Sequence, residues 1–306
     1  MSARAVVLAY HDVGHRCLQV LLAGGVQVDL VVTHRDAPGE QIWFASVAQL
    51  AREHGLPLAW AEDLDDAALQ AAVSAAAPEF LFSFYFRRML PAAVLACARR
   101  AALNMHGSLL PRYRGRVPVN WAVIRGERET GASLHHMTGR PDAGDLVDQM
   151  AVPILPEDTA GEVFRKVTVA AELVLHRSLP SLLAGTAPAR PLDLASGNYC
   201  GGRRPEDGRI DWTQPARAVH DLVRGVAPPY PGATTTLAGQ PVRVLRTLSR
   251  SQPTDRPPGT FHLREGRIHA ACGDGRALPV LHLEHAGRDL DPDAFSQLTG
   301  GEAQAR

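Results

Sequence analysis

The feature that most constrains this chain is the regular alternation of short apolar runs with helical segments through residues 5–99. Residues 5–10, 26–33, 58–60 and 79–84 have strand length and are rich in Val, Leu, Ala and Phe. A strand that is apolar along its whole length has no face to turn to water, so it belongs in a sheet covered on both sides. The stretches 16–23, 43–54 and 65–76 read as helices; Pro78 ends the third, and Pro91 starts another that runs to residue 99. Helices between strands return the chain to the same edge of the sheet, which makes neighbouring strands parallel. The expected fold class is α/β, a Rossmann-like, mainly parallel sheet. Ligands of such sheets bind in loops beyond the carboxyl ends of the strands, and the segment starting at Asn104 falls in such a loop.

The second half reads differently. Asp158 is placed to cap a long helix whose Val163, Val167, Ala170, Ala171, Val174 and Leu175 recur at helical spacing. Residues 187–204, rich in Pro, Gly and Ala, read as a linker. A lone helix at 215–226 then precedes short strand-like runs at 234–237, 242–248, 259–263, 267–272 and 278–283, the pattern of a small OB-like β-barrel. The expected organisation is a catalytic domain over 1–186, the linker, a C-terminal domain over 205–300 and a frayed tail over 301–306.

Composition closes several routes. Lys+Arg and Asp+Glu both number 32, so net charge makes no case for a polyanionic partner such as nucleic acid. Lys166 is the only lysine and lies in a helical segment, which argues against Schiff-base chemistry. Cys17, Cys97, Cys200 and Cys272 are far apart, so neither a disulfide framework nor a metal site is expected. No apolar run looks long enough to span a bilayer, and the N-terminus lacks a signal-peptide pattern. A cytoplasmic protein with no membrane partner is expected, its oligomeric state left open.

The chemistry is concentrated in Asn104-Met105-His106-Gly107-Ser108-Leu109-Leu110-Pro111 and, later, Pro141-Asp142-Ala143-Gly144. An amide, an imidazole and a carboxylate are the side chains needed to move an acyl group between nitrogens. The amide holds a developing oxyanion, the imidazole shuttles the proton, and the carboxylate fixes the imidazole. On a strand Asn104 and His106 face the same side. Asp142 reads equally well as a turn residue bonding its own backbone. The arginines around Tyr113 read either as a solvated loop or as phosphate ligands, with Arg114 the preferred ligand.

These motifs resemble the folate-dependent formyltransferase family, whose signature is Asn-x-His, a Ser-Leu-Leu-Pro-type turn and a later Asp-x-Gly. The family includes glycinamide ribonucleotide, methionyl-tRNA and sugar-nucleotide formyltransferases. Residues 9–12, 33–40, 82–88, 112–121, 201–207 and 229–233 are most similar to its polymyxin-resistance branch, which acts on UDP-4-amino-4-deoxy-L-arabinose in lipid A modification. The resemblance implies N10-formyltetrahydrofolate as co-substrate and no metal. It implies that Asn104 stabilises the oxyanion, that His106 transfers the proton and that Asp142 raises the basicity of His106. It also implies a folate pocket formed by Arg88, Met89, Leu90, Thr138, Gly139, Arg140, Pro141 and Asp142, largely through backbone groups. Tyr10, Ser108, Tyr113 and Arg114 are implied substrate contacts. In that branch an NAD-dependent decarboxylase domain follows. No strand leading into G-x-G-x-x-G occurs in this sequence, so a separate UDP-glucuronic acid decarboxylase is the expected working partner. Methionyl-tRNA formyl transfer, formyl transfer to another UDP- or dTDP-linked amino sugar, formyltetrahydrofolate hydrolysis and a non-catalytic binding role are the alternatives.

Overall fold

The computed structural model describes residues 2–305. The elements run β1 (Arg4–Ala9), α1 (His11–Ala23), β2 (Gln27–Thr33), α2 (Val47–Glu53), β3 (Leu58–Trp60), α3 (Asp66–Ala76), β4 (Phe80–Phe84), α4 (Ala92–Leu95), β5 (Ala101–His106) and β6 (Arg114–Gly115). They continue through α5 (Pro118–Ile124), β7 (Glu129–His136), β8 (Leu146–Pro153), α6 (Ala160–Ala184), β9 (Tyr199–Cys200), α7 (Ala216–Val226), β10 (Ala233–Leu237), β11 (Gln240–Thr247) and β12 (Gln252–Pro253). The last are β13 (Thr260–Arg264), β14 (Arg267–Ala271), β15 (Arg276–His285), β16 (Arg288–Asp289), α8 (Pro292–Thr299) and β17 (Glu302–Gln304).

Two compact units form. The first extends to Pro118 and takes in Thr130–Val152 and Arg165–Gly201; the second comprises Val119–Glu129, Pro153–Phe164 and the chain from Gly202 on. The single boundary expected near residue 186 is therefore replaced by an interleaved one. The reason is polar bonding within the second unit. Asn120 Nδ2 donates to Gly225 O at 2.9 Å, and Arg224 Nη1 donates to Asp158 O at 3.0 Å.

The first unit is built on a seven-stranded sheet in the order β3-β2-β1-β4-β5-β7-β8. The pairs β1–β2, β1–β4, β2–β3 and β4–β5 are parallel, and β7 runs antiparallel to β5. β1 lies inside the sheet between β2 and β4, and Ala5 to Ala9 are fully buried. On one face Val6, Leu8, Val32 and Leu81 pack against Leu69 and Val73 of α3; burying each such side chain contributes about 1.5–3 kcal/mol. Strand order reverses between β1 and β4, so the crevice of the sheet opens at their carboxyl ends, beside the end of β5.

Several boundaries move for identifiable reasons. α1 starts at His11, one residue after β1 and earlier than the expected residue 16, and its first turn buries Val13. Ser46 accepts from Gln49 N and starts α2 later than expected. α4 is a single turn. α6 is capped by Thr159: its Oγ1 accepts from Glu162 N, and Glu162 Oε2 accepts from Thr159 N. Asp158, expected as the cap, accepts instead from Leu155 N at 2.6 Å. At 25 residues α6 is long and apolar enough to cross a membrane by length and composition, contrary to the sequence reading. Half of its most apolar window is buried in the protein, and Arg165, Glu172 and Arg177 lie along the same helix.

Residues 187–204 are not a loose linker. Arg190 bridges to Leu146, and β9 pairs in parallel with β6. Backbone ladders do not depend on side-chain identity, so composition could not reveal them.

In the second unit the antiparallel order is β10-β11-β15-β14-β13-β17, with β12 and β16 added to β15. A bridge between Leu237 and Ala305 joins the two outer strands and curls the sheet into a barrel-like form. The core combines Val219 and Val223 of α7 with Phe261, Leu278 and Phe295. Of the expected frayed tail, residues 302–305 belong instead to this sheet, and Arg306 lies outside the described residues. β17 pairs with β13, and Ala305 N donates to Gly259 O at 2.8 Å.

Candidate active site

Asn104 and His106 occupy the carboxyl-terminal half of β5, on the strand itself rather than in the following loop. Two residues apart, they project to the same side of the sheet. Antiparallel pairing with β7 sets His135 opposite Asn104 and Ser133 opposite His106. Asp142 returns from the loop after β7 in a left-handed conformation, φ 47°, which Asp tolerates better than most residues.

These residues converge on one carboxylate oxygen. Asp142 Oδ1 lies 3.3 Å from Asn104 Nδ2, 3.5 Å from His106 Nδ1 and 3.4 Å from His135 Nε2. Its other oxygen, Oδ2, accepts from Gly115 N at 2.8 Å. Burial opposes the charge of Asp142, but the two imidazoles and the Gly115 N–H overcome it and hold the carboxyl well below the usual carboxylate range. Asp142 is therefore a fixed anion rather than a turn residue bonding itself.

The imidazole tautomers follow from backbone carbonyls. His106 Nε2 donates to Tyr113 O at 2.8 Å, which leaves Nδ1 of the neutral ring as the nitrogen able to take a proton, facing Asp142. At 3.5 Å that contact leaves the lone pair unshared, and it becomes an ion pair only once Nδ1 is protonated. His135 Nδ1 donates to His136 O at 2.8 Å, so its Nε2 accepts from Asn104 Nδ2 at 3.1 Å.

The loop after β5 is rigidly supported. Ser133 Oγ donates to Ser108 O and accepts from Leu110 N. Tyr113 N donates to Asn198 Oδ1 at 2.6 Å, and Arg114 N to Asn198 O at 3.1 Å. Gly115 has φ 98°, and a Cβ there would lie 2.3 Å from Cys200 O, so glycine alone permits this backbone to reach Asp142.

The expected folate residues divide into three groups. Met89, Thr138, Gly139 and Arg140 are exposed, and Pro141 is half-buried. Leu90 is buried in the core beside α3, on which Met137 also packs. Arg88 is committed to the protein: it donates to the carbonyls of Ala61 and Leu64 and pairs with Asp66 at 2.8 Å. Its guanidinium thus fixes the 61–66 turn rather than standing open.

Two of the four expected substrate contacts are engaged internally. Tyr10 is buried, its hydroxyl donating to Asp36 Oδ1 at 2.7 Å and its ring under Arg87. Ser108 has no exposed surface and donates to Arg112 O at 2.6 Å, so it shapes the turn. Tyr113 contributes its carbonyl to His106. Arg114 is half-buried, and its Nε has no hydrogen-bond partner.

Sequence reasoning missed His135, Asn198 and the Gly115 N–H. His135 gave no signal in the sequence, because its place opposite Asn104 follows from the strand register alone.

Two family models match the chain: formyl transferase over residues 7–179, and formyl transferase, C-terminal domain, over residues 203–297. The fold is similar to that of WlaRD, a sugar 3N-formyl transferase solved with dTDP and 5-N-formyl-THF, at 14% identity and a TM-score of 0.71, covering 94% of this chain and 99% of that one. An N-formyltransferase from Helicobacter canadensis, solved with folinic acid and dTDP-3-aminofucose, gives 17% identity and 0.70 over 92% and 99% of the two chains. HypX from Aquifex aeolicus, solved with tetrahydrofolic acid, gives 19% and 0.65 over 94% of this chain and 45% of its own. The N-terminal match alone spans more than half of the sequence, and the chain belongs to the formyl transferase family.

Proposed function

We propose that this chain transfers a formyl group from N10-formyltetrahydrofolate to the amine of a nucleotide-linked amino sugar, with UDP-4-amino-4-deoxy-L-arabinose the first choice of acceptor. The observation that carries the reading is the convergence of Asn104 and His106 on one ionised Asp142 oxygen. The fold likeness to sugar N-formyltransferases along nearly their whole length supports the acceptor class.

In this reading the folate supplies the activated formyl group. Asn104 Nδ2 donates to the formyl oxygen as it gains charge, exchanging its longer bond to Asp142 for one to the oxyanion. His106 Nδ1 takes the proton lost by the attacking amine and returns it to the folate nitrogen as the old carbon–nitrogen bond breaks. Asp142 stabilises the imidazolium between the two events. The backbone of 138–142, with nothing within 4 Å of a Cβ built on Gly139, and the exposed Met89 suit a flat heterocycle held by main-chain groups.

Balanced charge weighs against a tRNA acceptor, which calls for a basic surface. A dTDP-linked amino sugar is the second reading, supported by the likeness to the Helicobacter canadensis fold. Incubation with N10-formyltetrahydrofolate and each acceptor in turn, followed by product mass and tetrahydrofolate release, tests both. A product heavier by one formyl group is expected; folate turnover that needs no amine contradicts the proposal in favour of hydrolysis.

A further inference from the structure

The carbonyl that holds His106 belongs to a residue in a disfavoured conformation. Tyr113 is buried and has φ 56°, in the left-handed region that a bulky side chain rarely enters. Its carbonyl accepts from His106 Nε2 at 2.8 Å. That bond fixes which ring nitrogen carries the proton and how the ring is turned. A strained backbone of this kind persists only where its surroundings over-determine it.

The surroundings are residues 197–200, which lie with Tyr113 and His106 in the first unit. A Cβ on Gly197 would fall 2.1 Å from Pro111 O, so the two backbones meet there. Asn198 O accepts from Arg114 N at 3.1 Å, and Cys200 O from Arg116 N at 2.9 Å. Those are backbone bonds, and they act after Tyr113. Before it, Ser108 Oγ gives its one proton to Arg112 O at 2.6 Å and stands 3.5 Å from Tyr113 O, too far to hold that carbonyl. On Tyr113 itself the bond comes from a side chain: its N–H donates to Asn198 Oδ1 at 2.6 Å. Only the amide oxygen can face an N–H, and Asn198 Nδ2 is turned to Cys200 Sγ at 3.9 Å.

We propose that Asn198 is a positioning residue for His106. By holding the Tyr113 N–H it keeps Tyr113 in the left-handed conformation that aims the carbonyl at Nε2, and so presents Nδ1 to Asp142. One hydrogen bond and the left-handed strain of one residue are of the same size, so removing the amide oxygen is enough to let the carbonyl turn away. The kinetic consequence rests on the formyl-transfer reading above; the placement of the ring does not.

Proton NMR of the full chain, joined to steady-state kinetics, tests this on Asn198→Ala, Asn198→Asp and Asn198→Ser. In the wild type the His106 Nε2 proton, buried and hydrogen-bonded, gives a low-field imidazole resonance, identified by its absence from His106→Gln. Asn198→Ala loses that resonance. Its kcat with N10-formyltetrahydrofolate and UDP-4-amino-4-deoxy-L-arabinose falls about tenfold, while tetrahydrofolate affinity is unchanged. Asn198→Asp, whose carboxylate oxygen also accepts from Tyr113 N, regains the resonance and most of the lost kcat. If Asn198→Ala loses its circular dichroism signature, Asn198→Ser carries the test: its hydroxyl stops short of Tyr113 N, so the resonance is lost and kcat falls several-fold. A folded Asn198→Ala or Asn198→Ser that keeps the resonance overturns the proposal, whatever its rate, and leaves the formyl-transfer reading standing. A wild type without the resonance also overturns it, and so does an Asn198→Asp protein as impaired as Asn198→Ala. Where the resonances behave as expected but the wild type formylates no amine, the positioning stands and the formyl-transfer reading falls.

Discussion

His106 and His135 address the same oxygen, Oδ1 of Asp142, at 3.5 and 3.4 Å. One ring leaves Nδ1 open to take a proton, while the other accepts the Asn104 amide. His135 thereby acts as a positioning residue for Asn104. His135→Ala is expected to lower kcat about tenfold, the effect of losing one orienting bond, with KM for the folate unchanged. His135→Asn, which offers a shorter polar group, recovers part of the loss. Steady-state kinetics on both variants check this, and equal losses in kcat and folate affinity would point to a collapsed loop instead.

Asp142→Asn probes charge separately from shape. Asn tolerates the left-handed backbone at this position, so the loop geometry survives. Turnover is expected to fall about 10²- to 10⁴-fold, the range for disabling a general acid–base partner. Because the folded pKa of Asp142 is depressed, its stabilising contribution is present above the unfolded carboxyl value. That contribution is lost only as pH falls below about 4. The acid limb of the rate profile, measured between pH 5 and 7, therefore belongs to another group.

Gly107 follows His106 directly, and a Cβ built there would lie 1.9 Å from Tyr85 Oη and 3.1 Å from Cζ. Gly107→Ala must displace the ring or the strand end, at a cost of about 1–3 kcal/mol for overpacking. Tyr85→Phe removes the closer atom. The double variant is expected to melt above Gly107→Ala alone, and thermal unfolding of the two tests it.

Much of this site was legible because Asn104 and His106 share a strand face and Asp142 sits in a recognisable turn string. His135 was not, since its position opposite Asn104 depends on a register no side chain announces. Asn198 and Cys200 lay in a stretch whose Pro, Gly and Ala content suggested a connector, yet the Asn198 side chain holds Tyr113 N and their carbonyls hold Arg114 and Arg116. The parallel sheet was readable from strands apolar along their length. β17 and α8 were not, being short and polar with their apolar anchors, Phe295 and Ala305, far apart in the pattern.

Acid should weaken the fold through its histidines. Burial first, and then the positive charge of Arg87, lower His11 to about 3, and burial likewise lowers His34, His220, His262 and His269. The unfolded chain binds these protons from about pH 6.5 downward while the folded chain does not, so stability present above that pH is lost as pH falls. Urea melts at pH 7.5 and 5 are expected to show a lower midpoint in acid. His11→Asn, compatible with the left-handed backbone there, should flatten the slope.

The central claim is that Asn104, His106 and Asp142 carry formyl transfer, and single-turnover kinetics test it most directly. Wild type, Asn104→Ala and His106→Ala are each loaded with N10-formyltetrahydrofolate and mixed with the amino-sugar nucleotide. Both variants should bind the folate nearly as the wild type does and lose about 10²- to 10⁴-fold in the rate of formyl transfer. A His106→Ala protein that transfers formyl at close to the wild-type rate would contradict the account.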